Sequence, residues 1–259
     1  MDKVRSKDGT LIAFERSGAG PALVLVHGAT ADHTRWASVL PMLEQRFTIY
    51  AVDRRGRGES GDSASYSLER EYEDMASVVD SIKEPVNLLG HSYGALIALE
   101  AALLVKNLHK LILYEPAIRL KGSLYPPNTK NKIQELLDVG DREGGLQVFF
   151  QEAVGISGHE IVSLKKEPAW TARLASAHTL VREFADDDYI FDPMRFKDLN
   201  VPALLLSGSE SPDVLRAATK AVHEALPDSR IVDMQGQQHV AMSTAPELFA
   251  RLVIGFLTE

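Results

Sequence analysis

The fold is decided by the stretch Val86-Asn87-Leu88-Leu89-Gly90-His91-Ser92-Tyr93-Gly94-Ala95-Leu96-Ile97-Ala98-Leu99. Its first four residues have the pattern of a buried strand, and its last five have that of a helix. Between them, Gly90 to Gly94 form G-x-S-x-G, the motif that places a serine on a sharp turn from strand to helix. The turn strains the serine backbone, and the small flanking residues let the helix approach the strand. We therefore predict that Ser92 projects as a nucleophile at the carboxyl end of a sheet.

Further apolar runs outside this stretch are typical of strands buried on both faces of a parallel sheet. They are Leu23–Val26, Phe47–Val52, Leu111–Tyr114 and Ala203–Leu206. Helical patterns lie between them or follow them, at Trp36–Leu43, Leu68–Ile82, Ala95–Val105, Val214–Leu226 and Pro246–Phe256. Alternating strands and helices predict an α/β fold with a doubly wound, mostly parallel sheet.

The segment 119–200 interrupts this alternation. It contains helical stretches at Lys132–Leu137 and Thr171–Arg182 and no pattern of a buried strand. We therefore predict a core formed by residues 1–118 and 201–259, with 119–200 inserted as a helical cap. The alternative is that these are ordinary surface helices with no role in substrate access, and periodicity does not separate the two.

Composition excludes several classes of function. The chain has 259 residues, 45% of them hydrophobic, a formal net charge of -8 and no cysteine. The negative charge disfavours nucleic acids and anionic membranes as partners, and the lack of cysteine removes disulfides and thiolate chemistry. The eight histidines show no close pair at metal-ligand spacing, so we expect no metal site and no cofactor. The polar first eight residues lack the apolar stretch of a secretory signal, which favours the cytoplasm.

His239 is the candidate general base for Ser92. It follows the strand-like Arg230–Met234 and precedes a helix, which places it on a loop at the edge of the sheet where Ser92 lies. A lone loop histidine is usually just solvated. Combined with Ser92, and after it in the chain, it fits a nucleophile and base pair.

From Leu23 to Phe256 the chain resembles the α/β-hydrolase family. The resemblance rests on four ordered motifs: Leu25-Val26-His27-Gly28, the D-x-R-G-x-G-x-S loop Asp53–Ser60, the turn at Ser92 and the late His239. It implies a serine hydrolase whose oxyanion hole is formed by the backbone N–H groups of Tyr93 and Ala29, each such donor contributing about 3–4 kcal/mol. It also makes His27, His91 and the loop Asp53–Ser60 parts of the scaffold.

The acidic partner of His239 departs from the family's commonest pattern. That acid usually lies three residues after the glycine that ends the seventh strand, here Gly208, and the position holds Ser211. Two substitutes remain, Glu115 at the end of a strand and Glu210 in the loop after Gly208; Asp213 is explained by capping of the next helix. We favour Glu115, because a carboxylate is rarely buried at a strand end without a function, whereas loop glutamates are common. Pro116 should hold its backbone extended.

These residues predict the hydrolysis of a small or medium carboxylic ester through an acyl-enzyme on Ser92. The substrate would lie beneath the cap and contact Trp36, Tyr93 and residues of 119–200. A serine at position 92 argues against the haloalkane dehalogenases and epoxide hydrolases, whose nucleophile is a carboxylate. Action on C–C, amide or peracid substrates remains open, as does a ligand-binding or signalling protein with little turnover. The sequence predicts a small-molecule partner and leaves a homo-oligomer open.

Overall fold

A mostly parallel eight-stranded sheet forms the centre of the protein. The computed structural model describes residues 1–120, 125–156, 158–166, 169–184 and 189–259. The strands are β1 (Asp2–Arg5), β2 (Leu11–Gly18), β3 (Ala22–Val26), β4 (Thr48–Val52), β5 (Val86–His91), β6 (Leu108–Tyr114), β7 (Ala203–Gly208) and β8 (Ser229–Met234). Their order is β1-β2-β4-β3-β5-β6-β7-β8, with β1 and β2 antiparallel to their neighbours and the rest parallel. The predicted fold class is confirmed.

Helices cover both faces of the sheet and fill the segment between β6 and β7. They are α1 (Leu40–Leu43), α2 (Leu68–Ser81), α3 (Tyr93–Ala101), α4 (Thr129–Asp138), α5 (Arg142–Val148), α6 (Gly158–Leu164), α7 (Ala169–Ser176), α8 (Leu180–Glu183), α9 (Asp213–Ala225), α10 (Ala241–Thr244) and α11 (Pro246–Thr258). Among the helices in the described ranges, none is both long enough and apolar enough to cross a bilayer.

Alternate side chains of the central strands enter two separate apolar cores. On β3, Val24 and Val26 pack in the core that also holds residues of α2, α3 and α9. Leu23 and Leu25 pack in the opposite core, with residues of α11. Burial on both faces is the reason that these strands appear in the sequence as continuous apolar runs. It also leaves the carboxyl ends of the strands as the edge at which polar groups gather.

Several elements differ from the sequence prediction. The helix predicted at Trp36–Leu43 is wrong: a 3-10 turn ends at Trp36 and α1 begins only at Leu40. Pro41 explains the break, because proline lacks an N–H and suits the first turn of a new helix. The helix after Ser92 begins at Tyr93 and ends at Ala101, short of the predicted Val105. The edge strand β1 and its neighbour β2 were not predicted, since both are only partly buried and lack a continuous apolar run.

The segment between β6 and β7 has an apolar cluster of its own. In its described part it is helical, with α4 to α8, a π-helical turn at Phe149–Val154 and no strand. The buried members of this cluster, the cap cluster, are Ile133, Leu146, Phe149, Phe150, Ile161, Trp170, Ala177, Leu180 and Phe184. Part of the predicted cap, at 121–124, 157, 167–168 and 185–188, lies outside the described residues. The exact bounds of cap and core stay a prediction.

Candidate active site

Ser92 occupies a tight turn between β5 and α3. Its φ and ψ of 56° and −121° lie outside the ordinary regions for a residue with a side chain. The flanking glycines permit this turn, because a Cβ on Gly90 would come within 2.4 Å of the Gly94 carbonyl and one on Gly94 within 2.4 Å of the His27 carbonyl. The Ser92 N–H donates to the Tyr114 carbonyl at 2.9 Å, which ties the turn to β6. The hydroxyl is thereby presented at the carboxyl end of the sheet.

Glu115 and His239 lie in direct contact. Glu115 is fully buried just after β6, and its Oε2 lies 2.6 Å from His239 Nδ1. The other carboxylate oxygen, Oε1, accepts the Gly208 N–H at 2.6 Å. The expected extended backbone at Glu115 is wrong, because its φ is 44°. Pro116 restricts only the local chain, whereas Glu115 also donates its N–H to the Leu206 carbonyl at 3.2 Å, and these tertiary contacts decide its conformation.

The other candidate acids are placed differently. Glu210 is exposed, and its carboxylate has no hydrogen bond to any residue in the described ranges. Ser211, at the family's usual acid position, is buried, and its hydroxyl has no hydrogen-bond partner in the described protein. Asp213 begins α9 and pairs with Arg216 at 2.5 Å. Of the carboxylates weighed from the sequence, Glu115 is the one brought to His239.

The loop that carries His239 is fastened by two side chains of the core. The Tyr114 hydroxyl donates to the Gln238 carbonyl and accepts the Ala241 N–H at 3.0 Å. His91 Nε2 lies 2.8 Å from the His239 carbonyl. Burial, aided by the charges of His239 and Arg35, holds the pKa of His91 well below its ordinary value, so a neutral ring donates here. No sequence pattern indicated the contact made by Tyr114, because it joins residues far apart in the chain.

The residues expected to supply the oxyanion donors lie next to Ser92 or line the same cavity. Tyr93 follows Ser92 directly, and Ala29 lines the same cavity as Ser92. The preceding His27 is fully buried, with Nδ1 2.8 Å from the Gly28 carbonyl and Nε2 accepting the Arg54 N–H at 3.2 Å. Burial, together with the charges of Arg54 and Arg57, lowers the pKa of His27 well below its ordinary value. Both histidines next to the site are therefore neutral structural groups.

A cavity of about 320 Å³ lies over Ser92, between the strand ends and the cap cluster. It is lined by Ala29, Ser92, Tyr93, Ala117, Tyr125, Phe149, Ala153, Val154, Gly155, Ile156, Glu183, Phe184, Glu210, Pro212, Val214, Leu215, Gln238, His239 and Val240. None of these is Lys or Arg. The expected substrate contact with Trp36 is wrong: this side chain is fully buried and packs against Phe249 in the core on the α11 face. Trp36 is therefore not among the residues that line the cavity.

A family model described as the alpha/beta hydrolase family matches residues 23–252. The chain belongs to this family. A solved alpha/beta hydrolase from Sphaerobacter thermophilus is 33% identical, with a TM-score of 0.87, covering 99% of this chain and 100% of that one.

Two curated relatives of this α/β hydrolase have named activities. A pimeloyl-[acyl-carrier protein] methyl ester esterase from Aeromonas hydrophila is 27% identical over 95% of this chain and 99% of its own length. An (E)-2-((N-methylformamido)methylene)succinate hydrolase from Acinetobacter baylyi is 27% identical over 93% of this chain and 92% of its own length. The relatives are thus an esterase and a hydrolase of similar length.

In this α/β hydrolase, the loop Asp53–Ser60 contributes two arginines to a group of buried ion pairs. Arg54 is fully buried, binds Glu71 through Nε at 2.8 Å and Nη2 at 2.7 Å, and donates through Nη2 to Glu183 of α8 at 2.8 Å. Arg57 also donates to Glu183. Burial by itself raises the pKa of Glu71, but Arg54 and Arg57 outweigh it and lower the pKa to about 2. These four residues, the charged cluster, lie beside the site, because the Arg54 guanidinium stacks 4.6 Å from the Tyr93 ring.

The described ranges contain no group of three or more His, Asp or Glu side chains placed to bind a metal ion. Ser92 and His239 both line the cavity, and Glu115 lies behind His239, in contact with its Nδ1.

Proposed function

We propose that this protein hydrolyses small or medium carboxylic esters through an acyl-enzyme on Ser92. The observation that supports this most is the contact between Glu115 Oε2 and His239 Nδ1 at 2.6 Å, because His239 lines the cavity together with Ser92 and Ala29. A carboxylate on Nδ1 orients the ring and leaves Nε2 to act as the base.

In the proposed reaction, His239 Nε2 takes the proton of Ser92 as its Oγ attacks the ester carbonyl. The N–H groups of Ala29 and Tyr93 donate to the resulting oxyanion, and Glu115 stabilises the imidazolium. Collapse breaks the ester bond, and the departing alkoxide takes the proton from His239. Water then attacks the acyl-enzyme, with His239 again as base, and releases the acid and free Ser92. No hydrogen bond between the Ser92 hydroxyl and His239 occurs among the described contacts, so we expect this contact to tighten when substrate binds.

The cavity favours neutral substrates. Its volume of about 320 Å³ and its aromatic and aliphatic walls suit a small or medium acyl or alcohol group. Its lining contains two carboxylates, of which Glu183 is paired with Arg54 and Arg57, whereas Glu210 is exposed and has no hydrogen bond in the described protein. A substrate carboxylate would therefore find no Lys or Arg in the lining to pair with. The esterase and hydrolase relatives, each 27% identical, support ester hydrolysis as the reaction class.

The experiment combines covalent labelling with turnover. Wild type, Ser92→Ala and the matched control Ser211→Ala are treated with a fluorophosphonate and mapped by mass spectrometry, and p-nitrophenyl butyrate hydrolysis is measured. We expect wild type and Ser211→Ala to be labelled on Ser92 and to turn over, and Ser92→Ala to lose labelling and at least ~10⁴-fold in rate.

The outcome also separates the alternatives. A folded wild type that neither labels nor hydrolyses any ester would contradict the proposal and favour the ligand-binding alternative. Labelling of Ser92 without ester turnover would direct the search to amide, C–C or peracid substrates, which use the same nucleophile.

A further inference from the structure

The loop of residues 27–30 contains the Ala29 amide, and two arginines from other parts of the chain bind it. The Gly28 carbonyl accepts from Arg54 Nη1 at 3.2 Å, and Thr30 Oγ1 accepts from Arg173 Nη1 at 3.0 Å. Thr30 is buried with a φ of 55°, a region that β-branched residues rarely adopt. A backbone in such a conformation persists only where its surroundings hold it.

Both arginines connect this loop to the helices between β6 and β7. Arg173 belongs to α7, is 8% exposed, and lies with its guanidinium 5.3 Å from the Phe150 ring of the cap cluster. Arg54 reaches the same helices through its 2.8 Å contact with Glu183. Ala29 itself packs against the cap cluster. The loop is thus linked to the helical segment at three successive residues: Gly28 through Arg54, Ala29 by direct packing, and Thr30 through Arg173.

This arrangement bears on the oxyanion hole because such a site works through donors fixed in advance of the reaction. A displacement of about 1 Å at a reacting group lowers the rate by roughly 100-fold. We propose that Arg173 is a positioning residue which, through Thr30, holds the Ala29 amide where it donates to the oxyanion. The helical segment then does more than cover the cavity, since it sets one of the two donors. This inference rests on the proposed function.

The test removes the Arg173–Thr30 hydrogen bond from either end. Thr30→Val deletes the acceptor while keeping the shape of the side chain, and Arg173→Met deletes the donors. Arg173 has further contacts, which makes Thr30→Val the cleaner variant. We expect each to lower kcat for p-nitrophenyl butyrate by roughly 10- to 100-fold with KM changed less than about 3-fold. The double variant should be no slower than the slower single variant, because the same contact is lost.

Two control variants and an inhibitor distinguish a positioning role of Arg173 from a general loss of stability. Arg142→Met removes an exposed arginine of the same segment, whose Nη1 donates to the Leu174 carbonyl, and should change kcat less than about 2-fold. Arg173→Lys retains one donor and should recover part of kcat. A trifluoromethyl ketone, which Ser92 attacks to form a tetrahedral adduct, should bind more weakly in proportion to the fall in kcat/KM. A purely structural role would lower the melting temperature without that proportionality.

The inference is overturned if wild type is active and both Thr30→Val and Arg173→Met keep a near-normal kcat. It is also overturned if the reductions in kcat of the two single variants add in the double variant, or if the affinity of the variants for the ketone equals that of wild type. If Arg173→Met fails to fold, Thr30→Val and Arg173→Lys decide the question by the same criteria. A wild type that neither labels nor turns over instead overturns the proposed function, and this inference with it.

Discussion

The two sides of the candidate site are held in place by different kinds of contact. On the base side, the loop of His239 is fastened by Glu115, Tyr114 and His91, which all lie at the ends of β5 and β6. On the side of the proposed oxyanion hole, here called the oxyanion side, the loop of Ala29 is held by two arginines, Arg54, which is paired with Glu183, and Arg173, which belongs to α7. The base side therefore depends on the sheet, and the oxyanion side depends on buried charge and on the helices between β6 and β7.

The largest expected effect tests the base side. Glu115→Gln should lower kcat by roughly 10³- to 10⁴-fold, because the amide neither favours the required tautomer nor stabilises the imidazolium. Glu210→Gln is the matched control and should keep kcat within about 3-fold, since its exposed carboxylate has no hydrogen bond in the described protein. Steady-state hydrolysis of p-nitrophenyl butyrate measures both. The opposite ranking of the two variants would assign the acid to Glu210.

The next effect tests the oxyanion side through its charge. Glu183→Gln leaves Arg54 and Arg57 with one carboxylate fewer in a buried site, and we expect the free energy of unfolding to fall by about 3–5 kcal/mol. Glu143→Gln, which breaks the ion pair with Lys165 at 2.6 Å on the surface of the same segment, should change it by less than about 1 kcal/mol. Urea denaturation gives both values. Similar small losses in the two variants would mean that the charged cluster does not stabilise the fold.

A smaller effect tests the uncharged hydrogen bonds that Tyr114 makes to the loop of His239. Tyr114→Phe removes the hydroxyl that pairs with Gln238 and with the buried Ala241 N–H, which should lower the free energy of unfolding by about 1–3 kcal/mol and reduce kcat. Tyr50→Phe, in the same sheet, removes a hydroxyl without a hydrogen bond to any described residue and serves as control. Thermal denaturation together with kcat measures the effect. Equal behaviour of the two variants would show that the loop does not depend on Tyr114.

The smallest effect is a pH dependence at the loop Asp53–Ser60. The hydrogen bond from His33 to Asp53, at 2.8 Å, raises the pKa of His33 above its ordinary value; burial opposes this, and the charges of Asp53, Asp32 and Glu15 add to it. A raised pKa means that the protonated ring stabilises the fold. This contribution is complete below the unfolded pKa of about 6.5 and is lost as pH rises through the folded value.

His33→Asn keeps a donor but does not titrate, so it isolates this term. The stability difference between wild type and His33→Asn, measured by thermal unfolding from pH 5 to 9, should shrink as pH rises. A difference that is constant over this range would contradict the shift.

The sequence by itself determined the elements whose signal is local. The strands buried on both faces appear as continuous apolar runs, and Gly90 and Gly94 mark the turn at Ser92 because no larger residue fits the close approach of strand and helix. It also brought Glu115 forward as a candidate, because a glutamate at the end of an apolar strand is unusual. It favoured Glu115 over Glu210 only on the ground of expected burial, since both precede His239 in the chain and only the distance in space separates them.

The tertiary structure decided the contacts between residues far apart in the chain. Nothing local in Tyr114 indicates that its hydroxyl meets Gln238 and Ala241, or in Glu183 that it joins Arg54, 129 positions away. It also reversed two local expectations, placing Trp36 in the core and giving Glu115 a positive φ. The physical reason is the same in each case: periodicity and turn propensity report neighbours along the chain, whereas burial and hydrogen-bond satisfaction are settled only when the sheet and its helices pack.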